Sequence, residues 1–68
     1  MVYNNRGKVY EEKGDNKKAL KDYNKAIELD NKFVFAYINR GNLYAISEGT
    51  FKMAIDDYKK ALLYKHSN

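Results

Sequence analysis

The sequence predicts an all-α fold of two helical hairpins, which places four antiparallel helices in one small domain. Three observations lead to this prediction: a block of residues recurs after 34 or 35 positions, apolar residues in each block follow helical spacing, and glycine stands where each hairpin would turn. The 68 residues include no cysteine, so disulfide bonds and thiolate zinc sites are excluded.

The internal repeat is the strongest signal in the chain, because twelve residues occur twice in the same order. At an offset of 34, the matching residues are Tyr3, Asn5, Arg6, Gly7 and Tyr10, which return as Tyr37, Asn39, Arg40, Gly41 and Tyr44. At an offset of 35, they are Gly14, Lys17, Ala19, Asp22, Tyr23, Lys25 and Ala26, which return as Gly49, Lys52, Ala54, Asp57, Tyr58, Lys60 and Ala61. The change of offset places one extra residue between Tyr44 and Gly49. A single domain over 1–68 therefore divides into one repeat over 1–33 and a second over 34–68.

The first hairpin is predicted from its first helix and the turn that follows. Tyr3, Gly7 and Tyr10 lie at i, i+4 and i+7, which is one face of a helix. Gly14 favours a helix end because it adopts positive φ without strain. Asp15 is predicted to cap the next helix, since its carboxylate can accept hydrogen bonds from the free backbone N–H groups.

The second helix of this repeat has an apolar stripe and a basic outer face. The stripe consists of Ala19, Leu20, Tyr23, Ala26 and Ile27. The outer face consists of Lys17, Lys18, Lys21 and Lys25. An exit turn is predicted over 28–31.

The second repeat is predicted to follow the same plan. The pattern gives a helix over about 34–47, a turn around 48–50 and a second helix over about 51–65. Thr50 is the predicted N-cap of that last helix, because its hydroxyl can accept from the first free N–H groups.

Small residues recur where the helices are expected to approach closely. Gly7 and Gly41 have no side chain at equivalent positions of the two first helices. On the second helices this role falls to Ala19, Ala26, Ala54 and Ala61. The space opposite is predicted to be filled by Tyr10, Tyr23, Tyr44 and Tyr58.

This spacing resembles the tetratricopeptide repeat, a helical-hairpin family with a period of about 34 residues. The residues of the resemblance are Tyr3, Gly7, Tyr10, Gly14, Ala19, Tyr23 and Ala26, followed by Tyr37, Gly41, Tyr44, Gly49, Ala54, Tyr58 and Ala61. The resemblance covers nearly the whole chain. Asn31 stands where the family usually has proline, and Arg6 and Arg40 stand where it usually has leucine.

The resemblance implies that the hairpins stack as a short right-handed superhelix. The first helices would then line a concave groove that binds extended peptides or partner helices. It also implies part of the carboxylate clamp of chaperone-binding members. Asn5 and Asn39 match one clamp asparagine and Asn42 matches another, but Ile38 stands in place of the clamp lysine, so the clamp is predicted to be incomplete.

The groove is predicted to have an apolar half and a charged half. Projection of the first helices assigns Phe35, Ile38, Ala45 and Ile46 to the apolar half, and Met1, Asn4, Lys8, Glu11 and Glu12 to the other. The predicted partner-binding residues are Asn5, Lys8, Phe35, Ile38, Asn39, Asn42 and Ile46. Two interpretations stay open, since this surface could bind an amphipathic partner or could in part belong to the domain core.

The last helix is predicted to be a self-association surface. Its apolar residues are Phe51, Ile55, Tyr58, Leu62, Leu63 and Tyr64. Glu28 and Leu29 of the first repeat are replaced here by Leu63 and Tyr64, so the surface lacks the polar face of a capped repeat array. A chain of 68 residues also has a small core, and association is one route to added stability. Leu63→Lys is the substitution predicted to dissociate the copies.

Catalysis is not expected, and neither a metal nor a cofactor is predicted. His66 and Ser67 stand at the chain end, where a frayed tail is expected. The adjacent carboxylates at 11–12 and 56–57 point about 100° apart on a helix, so neither pair converges on a substrate. Both pairs are expected on solvated faces.

Arg6 and Arg40 recur before the two helical glycines and have two interpretations. A guanidinium can hold a partner carboxylate in a fork. Alternatively, the stem packs on the helix while the charged head is hydrated.

Nucleic-acid binding is not expected, although the net charge is +4. Each repeat has a net charge of +2, so no basic tail stands out. Lys17, Lys21 and Lys25 line one helix face, but Asp56 replaces Lys21 in the second repeat and breaks the basic track. Asp22, Glu28 and Asp57 are expected to dilute it further.

Membrane insertion is not expected either, because no apolar run approaches the roughly 20 residues needed to cross a bilayer. The N-terminus lacks the pattern of a signal peptide. The absence of cysteine agrees with a reducing compartment, so a cytoplasmic location is predicted. The predicted function is a non-catalytic module that binds a protein or peptide and forms homo-oligomers. The alternative is a purely structural repeat without an external ligand, as a fragment of a longer array or an engineered repeat protein.

Overall fold

The computed structural model describes residues 1–66 and contains four helices in two antiparallel hairpins. The helices are α1 (Val2–Glu12), α2 (Asn16–Leu29), α3 (Val34–Ile46) and α4 (Phe51–Lys65). In each hairpin the two helices pack along their length, and α3 of the second hairpin also packs on α2 of the first. The predicted all-α fold is confirmed. Ser67, predicted to lie in a frayed tail, is outside the described residues.

Both hairpin turns depend on a glycine in the left-handed region. Gly14 and Gly49 each have φ of +84°, which an L side chain rarely adopts. The first turn spans 13–15 and the second spans 47–50, so the extra residue of the second repeat lies in its turn. Asp15 caps α2 as predicted, since its Oδ1 accepts from the backbone N–H of Lys18 at 3.2 Å.

Thr50 occupies the N-cap position of α4, but the predicted role of its side chain is wrong. The hydroxyl makes no capping bond to α4. Instead, Thr50 Oγ1 donates to the carbonyl oxygens of Tyr44 at 2.7 Å and Ser47 at 3.0 Å. The Tyr44 carbonyl oxygen also accepts from the backbone N–H of Ser47 at 3.3 Å, so the hydroxyl adds a second donor at the end of α3 and holds the longer turn together.

The α2 helix ends cleanly without the proline that the family usually has. Asp30 leaves the helix in an extended conformation, with φ −144° and ψ 95°. The Tyr37 hydroxyl donates to the Asn31 carbonyl oxygen at 2.7 Å, which fixes the linker between the hairpins to α3. A tyrosine from the second repeat therefore holds the connection that proline would stiffen.

The core forms where helical glycines face tyrosines, as the small-against-large pattern predicted. A Cβ atom added to Gly7 would lie 2.7 Å from Tyr23 Cε1, and one added to Gly41 would lie 2.8 Å from Tyr58 Cε1. Tyr23 is fully buried and forms a cluster with Ala19 and Leu43. The two hairpins therefore share one core, because Leu43 of α3 reaches residues of α2.

Candidate interaction surfaces

The clamp asparagines are mostly engaged within the chain. Asn39 Nδ2 donates to Asn4 Oδ1 at 3.0 Å, which joins α3 to α1. The Tyr58 hydroxyl donates to Asn42 Oδ1, which joins α4 to α3. Of the three, only Asn5 is exposed and makes no side-chain hydrogen bond within residues 1–66. Two of the three predicted clamp residues therefore serve hairpin packing in this structure.

The predicted apolar half of the groove is a row along α3. Phe35, Ile38, Asn42 and Ile46 share one helix face by their spacing. Phe35 is 64% exposed and Ile46 is 69% exposed, whereas Ile38 is half-buried. The Phe33 ring packs edge-on against Phe35 with centroids 6.0 Å apart. This row therefore offers two exposed apolar side chains separated by a polar one, and Lys8 is exposed on the neighbouring α1.

Each hairpin contains an internal arginine–aspartate fork. Arg6 Nε and Nη2 each donate to the Asp22 carboxylate at 2.8 Å. Arg40 makes the same two bonds to Asp57, at 2.8 and 2.7 Å. Both guanidinium groups also lie near two tyrosine rings of their own helix, at centroid distances between 5.4 and 5.8 Å. The fork thus belongs to the fold rather than to a partner.

Three sequence-based interpretations are corrected by these forks. The arginine heads are not merely hydrated, because each holds a carboxylate of the second helix. Asp57 does not lie on a solvated face, since it is 3% exposed. Asp22 and Asp57 also do not dilute the exposed lysine track, because both are buried against arginine. Arg6 directly precedes Gly7, and Asp22 directly precedes Tyr23. Because the sequence already predicts that a helical glycine faces a tyrosine, it could also have predicted that Arg6 lies near Asp22.

The Asp22 fork predicts a defined loss of stability in acid. Two hydrogen bonds from Arg6 lower the pKa of the Asp22 carboxyl below its usual value, against the opposing effect of burial. A carboxyl whose pKa is lower in the folded chain stabilises the fold at pH values above its pKa in the unfolded chain, which is about 3.9. This contribution is lost as the pH falls through the pKa of the folded chain. The stability difference between wild type and Asp22→Asn should therefore be largest near neutral pH and shrink in acid. Urea unfolding at several pH values measures it, and a difference independent of pH would contradict the assignment.

The hydroxyl of Tyr23 links the charged half of the groove to the core. It donates to Glu11 Oε1 at 2.7 Å. Burial, followed by this hydrogen bond, raises the pKa of Tyr23, so the phenol stays protonated. Glu11 is therefore half-buried and engaged, whereas Glu12 is exposed as predicted.

A shallow cleft opens between α3 and α4 on the side of the molecule away from the first hairpin. We call this cleft the open edge, and its volume is about 270 Å³. It is lined by Val34, Ile38, Tyr58, Ala61, Leu62 and Lys65. The equivalent residues of the first hairpin include Asn4, Tyr23 and Ala26, which are buried where α3 covers them. Sequence reasoning missed the open edge because it treated α3 and α4 as separate surfaces.

The predicted self-association residues of α4 do not all share one face. Phe51, Ile55, Tyr58 and Leu62 form a single stripe at i, i+4, i+7 and i+11, which we call the α4 stripe. Leu63 is 61% exposed but lies roughly 100° around the helix from Leu62. Tyr64 is half-buried against Tyr37, with ring centroids 5.5 Å apart. The α4 stripe is therefore the continuous apolar part of the predicted surface.

Neither a metal site nor a membrane span is found in the described part of the chain. No group of three or more histidine, cysteine, aspartate or glutamate side chains within residues 1–66 is placed to hold a metal ion. No helix over the same residues has the length and apolarity to cross a bilayer.

Comparisons of the sequence with known proteins agree with this helical-hairpin fold. A family model described as TPR repeat matches residues 7–45, and one described as tetratricopeptide repeat matches residues 36–67. The chain is 41% identical over 64 residues to human (Homo sapiens) tetratricopeptide repeat protein 6, which covers 94% of this chain and 12% of that protein. It is 46% identical over 44 residues to mouse (Mus musculus) tetratricopeptide repeat protein 14, which covers 65% of this chain and 6% of that protein. The chain thus spans 12% or less of the length of these curated relatives.

Proposed function

Because the chain belongs to the tetratricopeptide repeat family, we propose that it is a non-catalytic protein-interaction module that associates with a second copy of itself through α4. Repeats of this family indicate a protein–protein interaction module. The α4 stripe is the observation that supports association of two copies through α4. Phe51 is 66% exposed, Leu62 is 59% exposed and Ile55 is 40% exposed. A continuous row of large apolar side chains at this exposure marks an interaction surface.

The association is expected to be weak. Full burial of one such side chain contributes roughly 1.5–3 kcal/mol, and each of these is already partly buried. Loss of translational and rotational freedom opposes association by at least about 4 kcal/mol. Contact between two α4 stripes is therefore expected to give a dimer with a dissociation constant of about 1 μM or higher. A dissociation constant of 1 μM corresponds to a binding free energy on the order of 8 kcal/mol.

Two neighbouring leucines provide a matched test of this surface. Leu62→Lys places a charge in the α4 stripe and is expected to leave the chain monomeric at concentrations where wild type associates. Leu63→Lys makes the same chemical change at 61% exposure but off the stripe, so its effect is expected to be smaller. Light scattering over a concentration series gives the molar mass, and circular dichroism confirms that both variants stay helical.

The same series decides between the partner classes. A folded wild-type chain that stays monomeric at high concentration would refute self-association and leave an external peptide as the partner. The candidate residues for that peptide are Asn5, Lys8, Phe35, Ile38, Asn39, Asn42 and Ile46. Equal behaviour of Leu62→Lys and Leu63→Lys would show that the α4 stripe is not the contact. A cytoplasmic location, which the absence of cysteine permits, remains part of the proposal.

A purely structural repeat without a ligand is the alternative. It predicts a chain that neither self-associates nor binds a peptide while folded. An unfolded monomer would favour a role inside a longer array, where neighbouring hairpins supply the missing burial.

A further inference from the structure

The contact between the two hairpins is a template for the kind of helix that the open edge can bind. In this contact α3 lies on the first hairpin, and Leu43 packs with Ala19 and Tyr23. On one side of Leu43, Asn39 donates to Asn4 at 3.0 Å. Arg40 Nη1 donates to Asn24 Oδ1 at 2.9 Å. An incoming helix therefore needs an apolar residue at the position of Leu43 and matched polar groups at the positions of Asn39 and Arg40.

The open edge repeats this template with different chemistry at its rim. The internal repeat relates Ala19 and Tyr23 to Ala54 and Tyr58, so the residue types are unchanged. Ala54 is 1% exposed, whereas Tyr58 is half-buried and lines the open edge. The remaining equivalences are Asn4 with Ile38, Asn24 with Lys59, and Asp30 with Lys65. The first hairpin thus offers an amide, an amide and a carboxylate. The second hairpin offers an aliphatic side chain and two ammonium groups at the equivalent positions, and of these Ile38 and Lys65 line the open edge.

The first hairpin of a second copy is a poor match for this edge. Repetition of the internal contact between copies would place Asn5 against Ile38, because Asn5 is the equivalent of Asn39. An amide buried on a hydrocarbon side chain loses its hydrogen bonds to water without replacement. It would also place Arg6 against Lys59, which brings two cations together. End-to-end stacking of identical copies would moreover grow without closing.

We propose that the open edge binds an acidic amphipathic helix, seated as α3 is seated on the first hairpin. The helix has an apolar residue against Ile38, a carboxylate directed at Lys59 and a leucine against Tyr58. Lys59 and Lys65 are exposed, and neither forms an ion pair within residues 1–66. Lys65 lines the open edge, and Lys59 follows Tyr58 on α4 at the position equivalent to Asn24. Both ammonium groups are therefore available near an apolar cleft, which is the complement of an acidic amphipathic helix.

Occupation of the open edge and pairing through α4 exclude one another. Tyr58 and Leu62 belong to both the open edge and the α4 stripe. This consequence rests on the proposed self-association, whereas binding of the acidic helix does not. The acidic helix is thus expected to convert a dimer of the chain into a one-to-one complex.

A peptide taken from α3 provides the probe, because α3 is the helix that fills the equivalent site. The acidic peptide has the sequence of residues 33–47 with Asn39→Leu and Arg40→Glu. A control peptide has Asn39→Leu alone and keeps arginine. Both have Phe35→Gln and Ile46→Gln for solubility. In both, a hydrocarbon staple joins positions 41 and 45 on the outward face, since an isolated helix of this length is marginal in water.

Fluorescence anisotropy with the full chain measures both peptides at low and high salt. The acidic peptide is expected to bind at least about tenfold more tightly than the control, with the ratio falling as salt rises. Lys59→Glu is expected to reverse the preference. Lys60→Glu makes the same charge change on the next residue, which points roughly 100° away, and is expected to leave the preference in place.

Three results would overturn the acidic-helix proposal: equal affinity of the two peptides, no binding of either, or equal effects of Lys59→Glu and Lys60→Glu. Light scattering separates this proposal from self-association. A monomeric chain that binds the acidic peptide refutes self-association alone. If the chain is a dimer and saturating acidic peptide leaves its mass unchanged, binding at the open edge is refuted while self-association still stands.

Discussion

Gly7→Val is expected to destabilise the chain by about 3 kcal/mol, which is most of the stability of a domain of this size. A Cβ atom at this position would lie 2.7 Å from Tyr23 Cε1, 2.9 Å from its Cδ1 and 3.2 Å from the Ala19 carbonyl oxygen. The Tyr23 ring cannot move aside, because it is fully buried and its hydroxyl is bound to Glu11. The clash therefore outweighs the gain in helix propensity, which for valine in place of glycine is less than about 1 kcal/mol.

The repeat supplies the matched control in Gly41→Val. A Cβ atom there would lie 2.8 Å from Tyr58 Cε1, which is nearly the same clash. The Tyr58 hydroxyl is also hydrogen-bonded, to Asn42, but Tyr58 is only half-buried and faces the open edge, so its ring has more space to move than Tyr23 has. Urea unfolding followed by circular dichroism should thus give a clearly larger loss for Gly7→Val. If Gly41→Val is equally costly, local crowding alone sets the effect and the covering hairpin does not matter.

The pairing of glycine with tyrosine shows why the fold could be predicted from the sequence. Helical spacing, turn glycines and the repeat each depend on local geometry, and all three indicate the same four helices. The prediction was wrong for Thr50 because a hydroxyl next to a turn has two sets of partners, the free N–H groups ahead and the free carbonyls behind. The sequence alone does not decide between them.

The interaction surfaces could be predicted only in part. Exposure of Phe35, Phe51 and Leu62 followed from helix projection. The hydrogen bond between Asn39 and Asn4 could not be predicted in this way, because these residues are 35 positions apart and meet only when the hairpins stack. The open edge was missed for the same reason. Its residues come from two helices whose relative position depends on packing, and projection treats one helix at a time.

Asp57→Ala is the second substitution expected to have a large effect, at about 3 kcal/mol. It would leave the guanidinium of Arg40 without a carboxylate while the Arg40 side chain is only 17% exposed. Removal of one partner from a buried pair is costly because the other charge stays poorly hydrated. Asp22→Ala breaks the equivalent fork, but the Arg6 side chain is 55% exposed and water can replace the carboxylate. Its loss is therefore expected to be smaller.

A double substitution separates the cost of a lone charge from the contribution of the pair. Arg40→Met with Asp57→Leu removes both charges and keeps apolar volume, so unfolding in urea should recover most of the stability lost in Asp57→Ala. Such recovery would mean that the fork adds little net stability, and we expect it instead to fix how α4 lies against α3. This orientation sets the position of Tyr58 at the open edge and of the neighbouring Lys59. The recovered variant should therefore be as stable as wild type while it distinguishes the acidic peptide from its control less well, and full discrimination in that variant would show that the fork does not position the edge.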